Sequence, residues 1–145
     1  MSKPRILLAD DHPVVLEALR DLLDELGDVL GTVRDGQELV EAAQRLKPDI
    51  IFADISMPRL NGIDATRALQ TCAPQSKVII LTIHRESCYV TMAFNAGARG
   101  YLLKRPGLHA ELPQALLRVI AGDRYIGLEA REERASVGED EPTIH

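Results

Sequence analysis

Five polar side chains stand at the ends of short apolar runs. Asp10 and Asp11 follow residues 6–9, Asp54 follows 50–53, Thr82 closes 78–81, and Lys104 follows 101–103. If the runs are neighbouring strands, three carboxylates, a hydroxyl and an ammonium meet at one edge of a sheet. Uncompensated, the carboxylates repel one another. A hard divalent cation removes that repulsion, and Mg²⁺ favours a site of one or two carboxylates, several waters and a phosphate. The hydroxyl and the ammonium suit the oxygens of a phosphoryl group in transfer, and an aspartate can attack phosphorus to form an acyl phosphate. Each residue alone has a plainer reading. Asp10 or Asp11 could cap a helix, Thr82 could be a β-former, and Lys104 could be solvated. Their coincidence on four runs is what points to phosphoryl chemistry.

The elements that must position these groups are legible in the pattern. The five apolar runs are 6–9, 29–33, 50–53, 78–81 and 101–103. All but the second are nearly continuous, as expected of strands covered on both faces. Between them lie stripes at helical spacing: Val15, Leu19, Leu22 and Leu26; Leu39, Ala43 and Leu46; Leu112, Leu116, Val119 and Ile120. Pro13 suits a first helical turn, and Gly27 is expected to end that helix. Pro48 is expected to stop the second helix and to push Lys47 toward extended geometry. Asn61-Gly62 reads as the turn before the third helix, and Pro113 as part of the first turn of the last. Strands alternating with helices predict an α/β fold: five parallel strands, doubly wound in the order 2-1-3-4-5, with five helices. Such sheets place ligands at the carboxyl ends of their strands, where the order switches between strands 1 and 3. Asp10, Asp11 and Asp54 stand there.

Composition narrows the partners. The chain has 145 residues, enough for one domain with its own core, and a net charge of −5, which argues against a general polyanion binder. No apolar run approaches the ~20 residues of a membrane span, and the run at 6–9 is too short for a signal-peptide core. Cys72 and Cys88 lack metal-type spacing and fit a reduced, cytoplasmic setting. Residues 129–145 hold six acids against two bases and no apolar periodicity. The folded domain is therefore expected over 1–126, with 127–145 as an acidic tail or interdomain linker.

Residues 6–13 (ILLADDHP), 49–62 (DIIFADISMPRLNG), 78–82 (VIILT) and 97–104 (GARGYLLK) resemble the receiver domain of two-component response regulators. The likeness covers about residues 4–126 with its motifs in order. LLADDHP, GYLLK and residues 119–125 (VIAGDRY) look most like the NarL/FixJ (LuxR-type) subfamily. The resemblance implies a flavodoxin-like fold in which Asp54 takes a phosphoryl group from a sensor histidine kinase. Asp10, Asp11 and Asp54, with the backbone carbonyl of Ser56, would hold Mg²⁺ or Mn²⁺. Thr82 and Lys104 would serve the phosphoryl group, and Thr82 with the aromatic Tyr101 would be the switch that alters the surface of the fourth helix, fifth strand and fifth helix. A homodimer is compatible with that likeness. No basic recognition-helix pattern is present, so contact with DNA would run through an output domain outside this sequence. A stand-alone receiver acting by protein contact is the alternative.

Two features depart from the family pattern. Arg105 separates Lys104 from Pro106, and a cis bond before a non-proline residue costs ~3 kcal/mol, so Lys104–Arg105 is expected to be trans. His84, two residues past Thr82, lies where water would attack an acyl phosphate. With Ser56 it is a candidate for tuning hydrolysis, against the plainer reading of a surface histidine. His12 is read as a helix-start residue rather than a ligand. An aspartyl-nucleophile phosphohydrolase would resemble a D-x-D-x-T pattern after the first strand, and Asp54 follows the third. A flavodoxin-like cofactor binder needs a phosphate-cradling loop where Asp10-Asp11-His12-Pro13 stands.

Overall fold

The structure is a computed structural model and describes residues 3–127 and 130. The elements run β1 (Arg5–Ala9), α1 (Pro13–Asp24), β2 (Asp28–Val33), α2 (Gly36–Leu46), β3 (Ile50–Ala53), α3 (Gly62–Cys72), β4 (Lys77–Thr82), α4 (Ser87–Ala96), β5 (Gly100–Leu103), α5 (Leu108–Ile120) and β6 (Tyr125–Ile126). The strands pair in parallel in the order β2-β1-β3-β4-β5-β6. The expected order is present, and among the described residues the sheet has six strands rather than five. β6 is two residues long, below the length at which alternation can be read. It is held by bonds from Tyr125 N to Arg99 O and from Gly127 N to Tyr101 O, 3.0 and 2.7 Å.

The two faces of the sheet are separated by the period-2 alternation of the strands. Ile6, Leu8, Phe52, Ile79, Leu81 and Leu102 pack with α1 and α5. Leu7, Ala9, Ile51, Ala53, Ile80, Tyr101 and Leu103 pack with α2, α3 and α4. Ala130 is fully buried in this second cluster.

Helix ends follow local chemistry, with several departures from expectation. α2 begins at the Asp35 carboxylate, which accepts from Glu38 N at 2.8 Å, and α3 at the Asn61 carbonyl, which accepts from Asp64 N at 2.8 Å. α1 begins without a side-chain cap, behind His12 and Pro13, so neither acid of the pair serves as one. Its buried stripe is Leu16, Leu19 and Leu23; Val15, Leu22 and Leu26 are its half-buried flanks. The expected stripe was one residue out of phase because residues 14–16 are all apolar. α1 stops at Asp24, before Gly27. Gly27 instead allows a close approach, since a Cβ there would lie 2.6 Å from Pro4 O and Ile6 Cδ1.

Lys47 is left-handed (φ 49, ψ 59), not extended. That turn ends α2 through Lys47 N to Ala43 O and points the carbonyls of Leu46 and Lys47 at the Arg5 guanidinium. α5 starts a turn earlier than expected, after Gly107 in the left-handed region (φ 92), which puts Pro113 inside it. Pro113 and His109 both lie on the exposed side, so the carbonyl that loses its amide partner faces water. Ile120 is exposed, and the rest of that stripe is buried. Among the described residues no peptide bond is cis, Lys104–Arg105 included.

Gly62 is pressed against the strand end that carries Asp54: a Cβ there would sit 2.0 Å from the Asp54 carbonyl oxygen, whereas at Gly31 it would meet nothing within 4 Å. Gly62→Ala is therefore expected to lose about 3 kcal/mol of stability. Gly31→Ala should stay within about 1 kcal/mol of wild type. Urea unfolding of the two variants checks the contrast.

Candidate functional site

Strand register brings the expected residues to one edge. β1 and β3 end level, with Ala9 opposite Ala53, and β4 and β5 end with Thr82 opposite Leu103. The hydrogen-bond ladder continues one step beyond, from Asp54 N to Ala9 O at 3.0 Å and from Lys104 N to Thr82 O at 2.9 Å. Asp10 N bonds Val33 O at 3.1 Å. The backbones that carry Asp10, Asp54 and Lys104 are thus fixed by the sheet itself.

Lys104 reaches across the carboxyl end of the sheet. Its ammonium bonds Asp10 Oδ2 and, at 2.9 Å, Asp54 Oδ2. Asp10 and Asp54 are buried, and the Lys104 side chain is 15% exposed. Burial alone would lower the lysine's pKa. The hydrogen bonds and charges of Asp10 and Asp54 outweigh it and hold the ammonium above its ordinary range. The other Asp54 oxygen accepts from Ile55 N at 2.7 Å, which sets the plane of the carboxylate.

Asp10, Asp11, Asp54 and His12 form one cluster, each with a ligand atom within 4.8 Å of the others. The chemistry of the donors fits a hard cation, because three of the four are carboxylates. Asp11 Oδ1 is buried and accepts no hydrogen bond, although His12 Nδ1 lies 3.0 Å away. His12 also approaches Asp10 Oδ1 at 3.2 Å. In the sequence, only the adjacency of His12 to the two acids points to this contact.

The remaining candidates gather on the loop after β4. His84 Nε2 lies 2.9 Å from Ser56 Oγ, which puts the two candidates for tuning hydrolysis in contact. Thr82 is buried, and its hydroxyl accepts from His84 N at 3.4 Å. Tyr101 is fully buried and donates to His84 O at 2.6 Å. Burial, reinforced by Glu86, pushes the phenol's pKa well up, so it stays a donor. His84 also stacks on Tyr89 of α4, ring centroids 4.6 Å apart. All four contacts of His84 depend on where the loop turns, which residue types alone do not give.

Comparison with known proteins places the chain among signalling proteins. A model of the response regulator receiver domain matches residues 6–116. Response regulator GacA of Pseudomonas viridiflava is 37% identical over 133 residues, which cover 90% of this chain and 62% of GacA. Transcriptional regulatory protein DegU of Brevibacillus brevis is 37% identical over 147 residues, covering 97% of this chain and 62% of DegU. The chain thus spans about 62% of the length of these relatives. A solved two-component response regulator of the LuxR family from Aurantimonas sp. SI85-9A1 superposes with a TM-score of 0.89 at 34% identity, covering 95% of this chain and 99% of that one. Among the described residues, no helix is long and apolar enough to cross a membrane.

The ammonium is the only cation that bonds both Asp10 and Asp54 among the described residues. Lys104→Met keeps the aliphatic stem and removes the charge. Its metal-free stability should fall by about 3 kcal/mol, the usual result of breaking a buried pair. MgCl₂ should restore more of the variant's stability than it adds to wild type. Because the folded pKa is raised, the lysine's contribution is complete below its unfolded value of ~10.4 and is lost as pH rises through the folded one. The wild-type advantage should therefore persist through neutral pH and fade only in strong alkali. Urea melts with and without MgCl₂ test this, and equal stability of the two proteins overturns it.

Proposed function

The chain belongs to the response regulator receiver family, on its NarL/FixJ-type branch, and from that premise we propose that Asp54 is its phosphoacceptor. The observation that carries the reading is the Lys104 ammonium bonded to both Asp10 and Asp54 at the carboxyl edge of a parallel sheet. An oxygen of Asp54 attacks phosphorus in line as the nitrogen–phosphorus bond of a phosphohistidine donor breaks. The acyl phosphate stays on Asp54, and the histidine ring leaves on the donor. Lys104 neutralises charge on the transferred oxygens, and Thr82 turns its hydroxyl toward them. The carboxylates of Asp10, Asp11 and Asp54, with the Ser56 carbonyl, would hold Mg²⁺ or Mn²⁺, whose contribution when bound is charge neutralisation at the phosphoryl group. In the second half of the cycle, water attacks phosphorus as the phosphorus–oxygen bond to Asp54 breaks, which releases inorganic phosphate and restores the carboxylate. Ser56 and His84, in contact at 2.9 Å, stand as a pair that tunes this step.

The phosphodonor in this reading is a sensor histidine kinase, and the protein works in the cytoplasm. Residues 1–126 act as the receiver; the tail or linker at 127–145 lies almost wholly outside the described residues. The name of the DegU relative supports an output in transcription, through a DNA-binding domain of the whole protein. Phosphorylation would bias the surface of α4, β5 and α5 between two states, and pairing of two copies through it is one means of output.

Incubation with acetyl phosphate and MgCl₂ should add the mass of one phosphoryl group to wild type. Asp54→Asn, or omission of Mg²⁺, should give none, and a phosphorylated Asp54→Asn protein overturns the assignment. After donor removal, His84→Ala should lose its phosphoryl group at a changed rate. An unchanged rate removes His84 from the hydrolysis step.

A further inference from the structure

The loop from Asp54 to α3 is held at several points. Ile55 and Met57 are buried and bracket Ser56, which is exposed. Gly62 N bonds Ile55 O at 2.9 Å and closes the loop at its base. At its far end the chain turns tightly, with Leu60 N on Pro58 O at 2.7 Å, and Arg59 between them is left-handed at φ 69. A non-glycine residue in that region is strained and persists only where its surroundings hold it.

The restraint comes from α2. Arg59 Nε donates to Asp35 Oδ2 at 3.1 Å and Nη2 to Asp35 Oδ1 at 3.4 Å, across 24 residues of chain. This is a two-point fork, which fixes direction as well as distance. Asp35 is itself immobilised, because the same carboxylate caps α2 through Glu38 N at 2.8 Å. Its side chain is only 13% exposed. Helix and loop are pressed together beside the fork: a Cβ on Gly36 would lie 1.9 Å from Leu60 O. The Glu38 amide and the Arg59 guanidinium also hold the Asp35 carboxyl below its usual range, so the fork is charged at neutral pH.

The apolar anchors at Ile55 and Met57 set how deep the loop sits. The Arg59–Asp35 fork adds a directional tie at the far end of the same loop, three residues past the Ser56 carbonyl. We infer that Arg59 is a positioning residue, whose fork on Asp35 orients the Ser56 carbonyl for divalent-cation binding beside Asp54. This rests on the reading of that carbonyl as a metal ligand. A partner one step removed from a ligand commonly changes metal affinity 10- to 100-fold.

Isothermal titration with MgCl₂ tests it. Arg59→Gly removes the fork and suits the left-handed backbone, so the fold is spared. Asp35→Asn keeps a helix cap of equal quality and loses the charge. Both should weaken Mg²⁺ about tenfold. Their phosphorylation by acetyl phosphate should slow at low Mg²⁺ and return to the wild-type rate at saturation. Arg59→Lys should recover part of the affinity, as a point charge without the fork. Affinities within about twofold of wild type in Arg59→Gly and Asp35→Asn overturn the inference while wild-type binding leaves the phosphoacceptor reading intact. A rate that stays low at saturating Mg²⁺ also overturns it, because the defect would then lie outside cation binding. Wild-type protein that binds no Mg²⁺ overturns the phosphoacceptor reading and this inference with it.

Discussion

Two carboxylates that the sheet forces together, and the one ammonium that makes this tolerable, govern the rest of the architecture. Asp10 and Asp54 are buried on adjacent strand ends because β1 and β3 terminate in register. Buried like charges at such range raise the free energy of the folded chain unless they are compensated. Lys104 supplies the compensation from the end of β5, two strands beyond β3. That geometry needs a sheet whose strand lengths agree, since one residue of slip would point Asp54 or Lys104 to the wrong face. The pairings from β1 through β3 and β4 to β5 are free of irregularity; the single register shift lies between β1 and β2, on the other side of β1.

Core packing serves the same requirement. Strands covered on both faces cannot shift without exposing Leu, Ile or Phe side chains, each worth about 1.5–3 kcal/mol when buried. The strand ends are therefore held rigid by residues far from the polar edge. The loops that complete the site have less core to hold them. They rely instead on discrete ties: Ile55 N to Asp54, Gly62 beneath the Asp54 carbonyl, and the Arg59–Asp35 fork. Rigid strands carry the charges, and pinned loops supply the remaining groups.

Sequence patterns reveal what depends on period and order, and little of what depends on loop direction. Four of the five long strands stand out because their apolar runs are nearly continuous, and the carboxyl-edge site follows from the strand order. β6 does not, because two residues carry no period. The α1 stripe is ambiguous, because apolar residues at 14, 15, 16, 19, 22, 23 and 26 satisfy two helical phases, and only packing against β1 and β2 decides between them. Lys47 follows no local preference, because the left-handed turn lets Arg5 satisfy the last carbonyls of α2. The contacts of His12 and His84 depend on loop paths that residue types do not encode. Ser56 and His84 were legible as candidates from their positions beside Asp54 and Thr82, while their pairing was not.

The path from the acidic edge to the outer surface runs through one residue's backbone. Thr82 accepts the His84 N–H, and the Tyr101 hydroxyl donates to the His84 carbonyl, so the two residues of the proposed switch hold opposite polar groups of the same residue. If Thr82 turns toward a phosphoryl oxygen on Asp54, the His84 amide loses its acceptor, and the loop must find another arrangement. Tyr101 then either follows the carbonyl or releases it, and a fully buried phenol without a partner carries the desolvation cost of an unmet hydrogen bond. Intermediate positions are therefore penalised, which is the condition for two discrete states. Driving such an equilibrium from one state almost wholly to the other takes ~5.5 kcal/mol of differential interaction. A doubly charged group that draws on Lys104 and the Thr82 hydroxyl makes several charge-assisted bonds, each stronger than a neutral one. That is of the required order, and Tyr89 of α4, packed on the His84 ring, lies beside the residue that this rearrangement would move.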